Sequence, residues 1–301
     1  MQEKLWPSLD YPQWADTCET LHMWTQVVGK LKMQLCPPED HWWHVALHVT
    51  PRGLTTGPIP YASLTFQIDF DLIAHELRID TSEGKSEKLK LEPKSVKAFY
   101  FEVQEAIHRL GIQVTIDPHP KEVTNPIRLD EDTIHASYDT EAIERFRRVL
   151  VQCDRILREF RVKFCGKSSP VNFYWGSFDL ALTRFSGNRI TQKSSDGKTS
   201  QVEEEFAVGF WPGSPAYPKA AFYAYALPPP AGVYESKILP AEARFDKKLG
   251  EFICDYEWIQ SAPDPNHAIL DFFQSTYEAT ANLGKWDRAI LECPILDPIP
   301  K

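Results

Sequence analysis

The sequence lacks the patterns that mark a membrane, nucleotide-binding or zinc protein. No stretch approaches about eighteen consecutive apolar residues, so no segment is expected to span a bilayer. The phosphate-binding patterns GxGxxG and GxxxxGKS or GxxxxGKT are absent, as is the zinc-protease pattern HExxH. Residues 1–7 have no basic segment followed by an apolar run, so no secretory signal is expected.

Paired cysteines are missing as well. The six cysteines are scattered, and none forms a CxxC pair. Structural zinc and a disulfide framework are therefore not expected, and reduced thiols in the core are predicted instead. A cytoplasmic location follows as an expectation. The six are Cys18, Cys36, Cys153, Cys165, Cys254 and Cys293.

The composition is that of a folded, acidic chain. With 43% hydrophobic and 12% aromatic residues in 301, a full-sized core can form, which excludes wholesale disorder. The net charge of −9 argues against a general nucleic-acid binder, which needs a basic face against the phosphates. The expected partner is a small molecule, with no nucleic acid, no membrane, no cofactor and no metal. The sequence does not predict an oligomeric state.

Four segments show apolar residues at helical spacing beside helix-ending signals. The first is expected to begin at Asp16, which has capping-box spacing to Glu19. The second helix has an apolar stripe from Val96 to Leu110 and is expected to end at Gly111. The third has an apolar stripe from Phe146 to Phe160 and is expected to be capped by Asp139. The fourth has an apolar stripe from Ile269 to Tyr277, and it is expected to start at Asp264-Pro265 and end at Gly284.

Short segments rich in β-branched and aromatic residues lie between these helices and predict strands. Residues 187–201 are polar and predict a loop, and 228–232 predict a break in the sheet. The predicted strands are 43–50, 63–70, 76–81, 87–91, 113–116, 171–175, 178–185, 205–211, 220–227 and 251–254.

The order of these elements predicts an α+β fold of two similar halves, 1–111 and 112–301. Each half reads as a capped helix, several strands and a helix ended by glycine. Each is expected to be a mainly antiparallel sheet backed by helices, arising by internal duplication. The order is similar to the duplicated arrangement of the TATA-box-binding protein, a likeness of fold from which no function follows.

The densest polar and aromatic segment contains His41, His44 and His48. Because the residues around them favour a strand, His44 and His48 are expected on one face, roughly 13 Å apart at about 3.3 Å per residue. Zinc bonds to nitrogen of about 2.0–2.1 Å then cannot be made by both. A pocket-facing or polar role is the expectation, with a shared metal as the alternative.

A second dense segment, 168–185, contains Asp179 and Arg184 in apolar surroundings. Its Gly176-Ser177 lacks the second glycine of a nucleophile elbow. Burying Asp179 and Arg184 unpaired is costly, so they are expected either in structural ion pairs or facing a cavity. Arg52 and Arg184 are further predicted near the centre of the molecule, facing a shared polar space.

Several long motifs are spread over nearly the whole chain: His41–His44, Thr50–Thr56, Ser169–Val171, Trp175–Leu180, Gly209–Gly213 and Gln274–Ala279. Together they resemble a bacterial domain-of-unknown-function family, DUF5996. That family often has a histidine where this chain has Asn172, so no imidazole chemistry is expected there. The resemblance implies no activity.

Three functions are weighed. The leading hypothesis is a small-molecule-binding protein with a cleft between its halves, since aromatic residues beside arginine suit a flat or anionic ligand. The alternatives are a hydrolase with His44 or His48 as general base and Asp179 as its orienting carboxylate, and a protein-interaction module. A pocket without an acid–base pair would favour binding. The residues expected to line the site are Trp43, His44, His48, Arg52, Trp175, Asp179 and Arg184.

Overall fold

The computed structural model describes residues 5–193 and 199–293, which form two compact units. The first unit comprises the described residues up to Gln152 with Asn172–Leu180 and Pro212–Ala220. The second comprises Cys153–Val171 and the described residues of Ala181–Trp211 and from Ala221 onward. The predicted boundary after residue 111 does not coincide with this division, because 112–152 packs within the first unit.

The first unit contains a six-stranded antiparallel sheet. Its order is β1-β2-β4-β5-β6, and β3 pairs with β4 beside this path. Alternate residues of β4, Phe66, Ile68 and Phe70, are buried, as expected for a strand with one face on the core. The strands are β1 (His48–Thr50), β2 (Gly53–Thr55), β3 (Ile59–Tyr61), β4 (Leu64–Asp71), β5 (Glu76–Thr81) and β6 (Ser86–Lys90).

Helices α1 (Tyr11–Leu35) and α2 (Val96–Arg109) pack against each other in this unit. Trp24 of α1 is fully buried and stacks on Phe99 of α2 at 4.7 Å between ring centroids. The expected start of α1 at Asp16 is wrong. The helix begins five residues earlier because Pro12 occupies its first turn, where a missing N–H costs nothing.

The second unit is built on the sheet order β11-β12-β10-β9-β8. β7 (Asn172–Tyr174), in the first unit, pairs with β8 (Asp179–Lys193), which begins in that unit. Helix α3 (Thr140–Arg161) likewise begins in the first unit and ends in the second. The remaining elements are β9 (Thr199–Trp211), β10 (Ala221–Leu227), β11 (Arg244–Asp246), β12 (Glu251–Asp255), α4 (Tyr256–Ser261), α5 (Pro265–Leu283) and α6 (Arg288–Leu291).

The predicted α+β class is confirmed, with two sheets each backed by helices. Two of the predicted caps are also present: Asp139 and Asp264 accept hydrogen bonds from first-turn N–H groups of α3 and α5. Ser95 caps α2 in the same way, which the sequence analysis does not predict. The first sheet follows chain order along its path, whereas the second ends with β11 outside β12. Strand order therefore does not support duplication, which stays a prediction.

Three strand or loop predictions are wrong. Residues 40–45 form a 3₁₀ helix with His41 and Trp42 in left-handed conformations, so the strand predicted from 43 begins only at His48. Residues 113–116 form no strand; the N–H of Gln113 donates instead to the Tyr61 hydroxyl, at 3.0 Å.

The predicted loop 187–201 is largely the extension of β8 and β9 into a long hairpin. Polar side chains satisfy one another along it: Ser186 and the Asn188 amide both donate to Glu204. Residues 194–198 of that prediction lie outside the described part of the chain.

Candidate functional site

His44 is a buried structural histidine. It lies in the last turn of the 3₁₀ helix, is 7% exposed, and accepts a hydrogen bond at Nδ1 from the backbone N–H of Glu39 at 3.0 Å. A neutral ring that accepts at Nδ1 carries its proton on Nε2. His48 lies on β1, a different element, so the two histidines do not share one strand as predicted. Trp43 also belongs to the 3₁₀ helix.

No metal centre is found in this region or elsewhere in the described ranges, 5–193 and 199–293. Within them no group of three histidine, cysteine or acidic side chains is arranged to hold a metal ion. No helix in the same ranges is long and apolar enough to cross a membrane.

Trp175 fills the core of the first unit. It is 4% exposed, and its indole N–H donates to the Val45 carbonyl at 2.9 Å. Gly29 of α1 provides the space, because a Cβ at that position would collide with the indole ring. A tryptophan whose polar atom is satisfied by backbone serves packing.

Asp179 is held within its own turn. Its carboxylate accepts a short hydrogen bond from the Ser177 hydroxyl, and the residue is 8% exposed. Phe178 between them adopts a left-handed conformation, with φ of 60°. The aspartate thus helps fix the turn that leads from β7 into β8.

Arg52 is exposed, contrary to the prediction of a shared polar space. Thr50-Pro51-Arg52-Gly53 forms the turn between β1 and β2, and the Arg52 side chain is 53% exposed. Its Nε donates to Asp71 Oδ2 at 2.6 Å. Burial alone would raise the pKa of Asp71, but bonds from Arg52 and two backbone N–H groups outweigh it and lower that pKa.

Arg184 is buried, as predicted, but among aromatic rings. It is 1% exposed on β8, and its guanidinium carbon lies 3.5 Å from the Phe160 ring centroid and 4.5 Å from that of Tyr277. One terminal nitrogen donates to the Phe160 carbonyl, at 2.5 Å, while Nε has no hydrogen-bond partner among the residues that the structure describes. Burial lowers the Arg184 pKa, and Tyr277 and Glu292 partly offset the effect.

A disulfide near Arg184 corrects the prediction of six reduced thiols. Cys165 and Cys293 are bonded, and the chain around them is also joined by backbone: the Cys165 N–H donates to the Leu291 carbonyl at 2.7 Å. Cys18, Cys36, Cys153 and Cys254 are free thiols, and all but Cys36 are buried. The disulfide joins residues 128 positions apart, so no local sequence spacing could predict this pairing.

The sequence reasoning missed an acid–base network in the first unit. His135 Nδ1 donates to Oδ2 of the fully buried Asp132 at 2.6 Å, and its Nε2 lies 3.5 Å from Glu19 on α1. Tyr11 donates to the other oxygen of Glu19 at 2.9 Å. Burial, followed by the Glu19 contact, raises the Tyr11 pKa. A buried carboxylate that orients a partly exposed imidazole can support general-base chemistry.

The same network has a structural role. The Asp132 and His135 carbonyls accept from the N–H groups of Lys97 and Val96, and so hold the first turn of α2. The pKa of His22, which lies on α1 near His135, is shifted as well. Burial lowers its pKa to about 4, although the hydrogen bond to the Gly176 carbonyl, at 2.9 Å, opposes that change.

A pocket of about 430 Å³ lies in the second unit. Its aromatic wall is formed by Tyr234, Phe245 and Phe252; the first two rings stack with centroids 3.7 Å apart. Lys237 and Arg244, both exposed, supply positive charge. The Ser275 hydroxyl on α5 accepts from the Leu239 N–H at 2.8 Å and anchors the facing wall. The full lining is Tyr234, Ser236–Leu239, Ala241, Ala243–Phe245 and Phe252.

The family comparison covers nearly the whole described chain. The model of a family of unknown function, DUF5996, matches residues 6–293, so the chain belongs to that family and the predicted resemblance is confirmed. No curated protein and no solved structure gives a significant match. The family description names no activity, and function must therefore be inferred from the geometry of the chain.

Proposed function

We propose that the protein binds a flat, anionic small molecule in the pocket of the second unit. The observation that carries this proposal is an aromatic wall beside two cationic side chains in a cavity of about 430 Å³. Ligand sites are commonly cavities of roughly 300–1,000 Å³ with apolar walls and a few polar groups. No histidine, aspartate or glutamate lines the pocket, so it offers no carboxylate–imidazole pair, which favours ligand binding over acid–base chemistry of that kind.

The positive charges give the pocket its selectivity. Lys237 has no hydrogen bond or ion pair with any other described residue, whereas Arg244 lies 3.4 Å from Asp255 in a partly exposed pair. A guanidinium presents two parallel donors to a carboxylate, and the stacked rings accept a planar body.

The test uses two probes of equal shape, 2-naphthoate and its neutral amide, titrated into the full chain. Arg244→Gln should weaken naphthoate binding at least tenfold and leave the amide unchanged, because only the anion uses the charge. Lys248→Gln is the control, since it removes a charge just beyond β11 but does not line the pocket. Equal binding of both probes by both variants would contradict the proposal.

A second candidate, a hydrolase, is favoured by the Asp132–His135 pair alone. In this proposal His135 takes the base role that the sequence reasoning gave to His44 or His48. With p-nitrophenyl acetate as the probe, His135→Gln should abolish any ester hydrolysis, and His119→Gln should not. His119 is the matched control because it also hydrogen-bonds an aspartate, Asp117, at 2.8 Å but is exposed.

A cytoplasmic location is a separate proposal, supported by the four free thiols. The Cys165–Cys293 bond weighs against it, because cytosolic thiols are normally kept reduced. Alkylation of freshly extracted protein under denaturing conditions decides the matter: six modified cysteines support the cytoplasm, and four indicate an oxidising compartment.

A further inference from the structure

A second, smaller pocket in the second unit has the opposite electrostatic character. It measures about 150 Å³, and none of its described lining residues carries a positive charge. Two carboxylates, a proline-rich turn and the end of α5 surround it. The lining residues are Glu204, Glu205, Pro228–Ala231, Thr280, Leu283, Gly284 and Trp286.

Glu205 carries the less satisfied of the two carboxylates in this pocket. It is partly buried, and its side chain has no hydrogen bond or ion pair with any other described residue. Its neighbours on β9 differ: Glu203 pairs with Lys167, and Glu204 accepts from Ser186 and Asn188. Burial raises the pKa of Glu205, as expected for a carboxylate removed from water without a cation.

Two further features favour a positive charge at the same place. Thr280, Leu283 and Gly284 belong to the last turn and cap of α5, and the C-terminal end of a helix carries a partial negative charge. Trp286, 7% exposed, supplies an indole, the aromatic ring that attracts cations most strongly. The carboxylate comes from β9, whereas the helix end and the indole come from the single stretch 280–286, and all three favour a bound positive charge.

We propose that this pocket binds a small organic cation, an alkylammonium or quaternary ammonium group, with Glu205 as its counter-ion and Trp286 as its aromatic contact. The cavity of 150 Å³ equals about five water volumes and suits a head group of a few heavy atoms. This inference is independent of the anion pocket, since the two pockets share no lining residue.

The experiment titrates tetramethylammonium and butylammonium chloride into the full chain at constant ionic strength and follows the Trp286 indole signal by NMR. Saturable binding of at least one cation is expected, weakened at least tenfold by Glu205→Gln. Glu203→Gln removes a neighbouring charge outside the pocket and should leave the affinity for the cation unchanged. Absence of saturable binding, or equal binding by Glu205→Gln, would overturn the proposal.

Stability provides the second readout. Because the folded-state pKa of Glu205 is raised, its ionised form disfavours folding at pH values above that pKa, and this cost disappears at acid pH. Glu205→Gln should therefore have an equal or higher denaturant midpoint than the wild type at pH 7, and the advantage should vanish near pH 4. A lower midpoint at pH 7 would make Glu205 a structural residue and overturn the proposal.

Discussion

Arg52 and Arg184 have similar sequence surroundings, since each follows an apolar segment and comes shortly before a glycine. In the structure, however, Arg52 is exposed and Arg184 is buried. Arg52 is 53% exposed in a hairpin turn and pairs with Asp71. Arg184 is 1% exposed in the middle of a long strand, against the rings of Phe160 and Tyr277. Position within the secondary element, rather than local hydrophobicity, decides whether an arginine is buried.

The largest expected effect is at Arg184. Arg184→Ala should lower the free energy of unfolding by about 3–5 kcal/mol, because the long side chain fills space among three aromatic rings. Arg184→Met keeps most of the volume and removes a desolvated charge, so it should cost less than about 1.5 kcal/mol. Urea denaturation of both variants checks this. Equal losses would mean that the charge, and not the volume, stabilises this region.

The disulfide beside Arg184 should have the next largest effect. Cys293→Ser opens a loop of 128 residues and should cost about 2–4 kcal/mol, chiefly by freeing the unfolded chain. Cys36→Ser, which removes a free and partly exposed thiol, is the matched control. If a reducing agent leaves the wild-type midpoint unchanged, the bond does not contribute as described.

Acid should destabilise the first unit through His22. Its folded pKa of about 4 lies below the ordinary 6.5, so the unfolded chain binds the proton more readily. The stabilisation that comes from the neutral His22 should be fully present above pH 6.5. As the pH drops toward 4, the free energy of unfolding should fall by up to roughly 3 kcal/mol. His22→Gln should flatten this part of the pH profile. A profile as steep in the variant as in the wild type would assign the effect to other groups.

Arg52 should show the smallest effect. Its pair with Asp71 is exposed on the arginine side, and Asp71 keeps its bonds to the N–H groups of Ile73 and Ala74. Arg52→Ala should therefore leave the denaturant midpoint nearly unchanged. A loss as large as that of Arg184→Ala would break the contrast between the two arginines.

Local signals predicted much of the fold. The caps at Asp139 and Asp264 need only neighbouring residues, so they could be predicted. The Arg184 environment also has a local signal, because Leu180, Leu182 and Arg184 alternate along β8 and all are buried. The Thr50-Pro51-Arg52-Gly53 sequence is itself a turn pattern and could have indicated exposure at Arg52.

The remaining features are non-local. The contact of His135 with Glu19 joins distant segments, as does the bond of Cys165 to Cys293. The wall of the anion pocket between Tyr234 and Ala243 is mostly irregular and has no period that a sequence can reveal. These contacts depend on tertiary packing, so sequence spacing could not place them.

The most direct test of ligand binding in the second unit is a titration of ¹⁵N-labelled protein with 2-naphthoate. Tyr234, Phe245 and Phe252 line the proposed site, with Lys237 and Arg244 as its charges. The amide signals of residues 234–252 should shift saturably, and Arg244→Gln should remove most of that shift. Saturable shifts confined to other residues, or none at any concentration, would contradict the account.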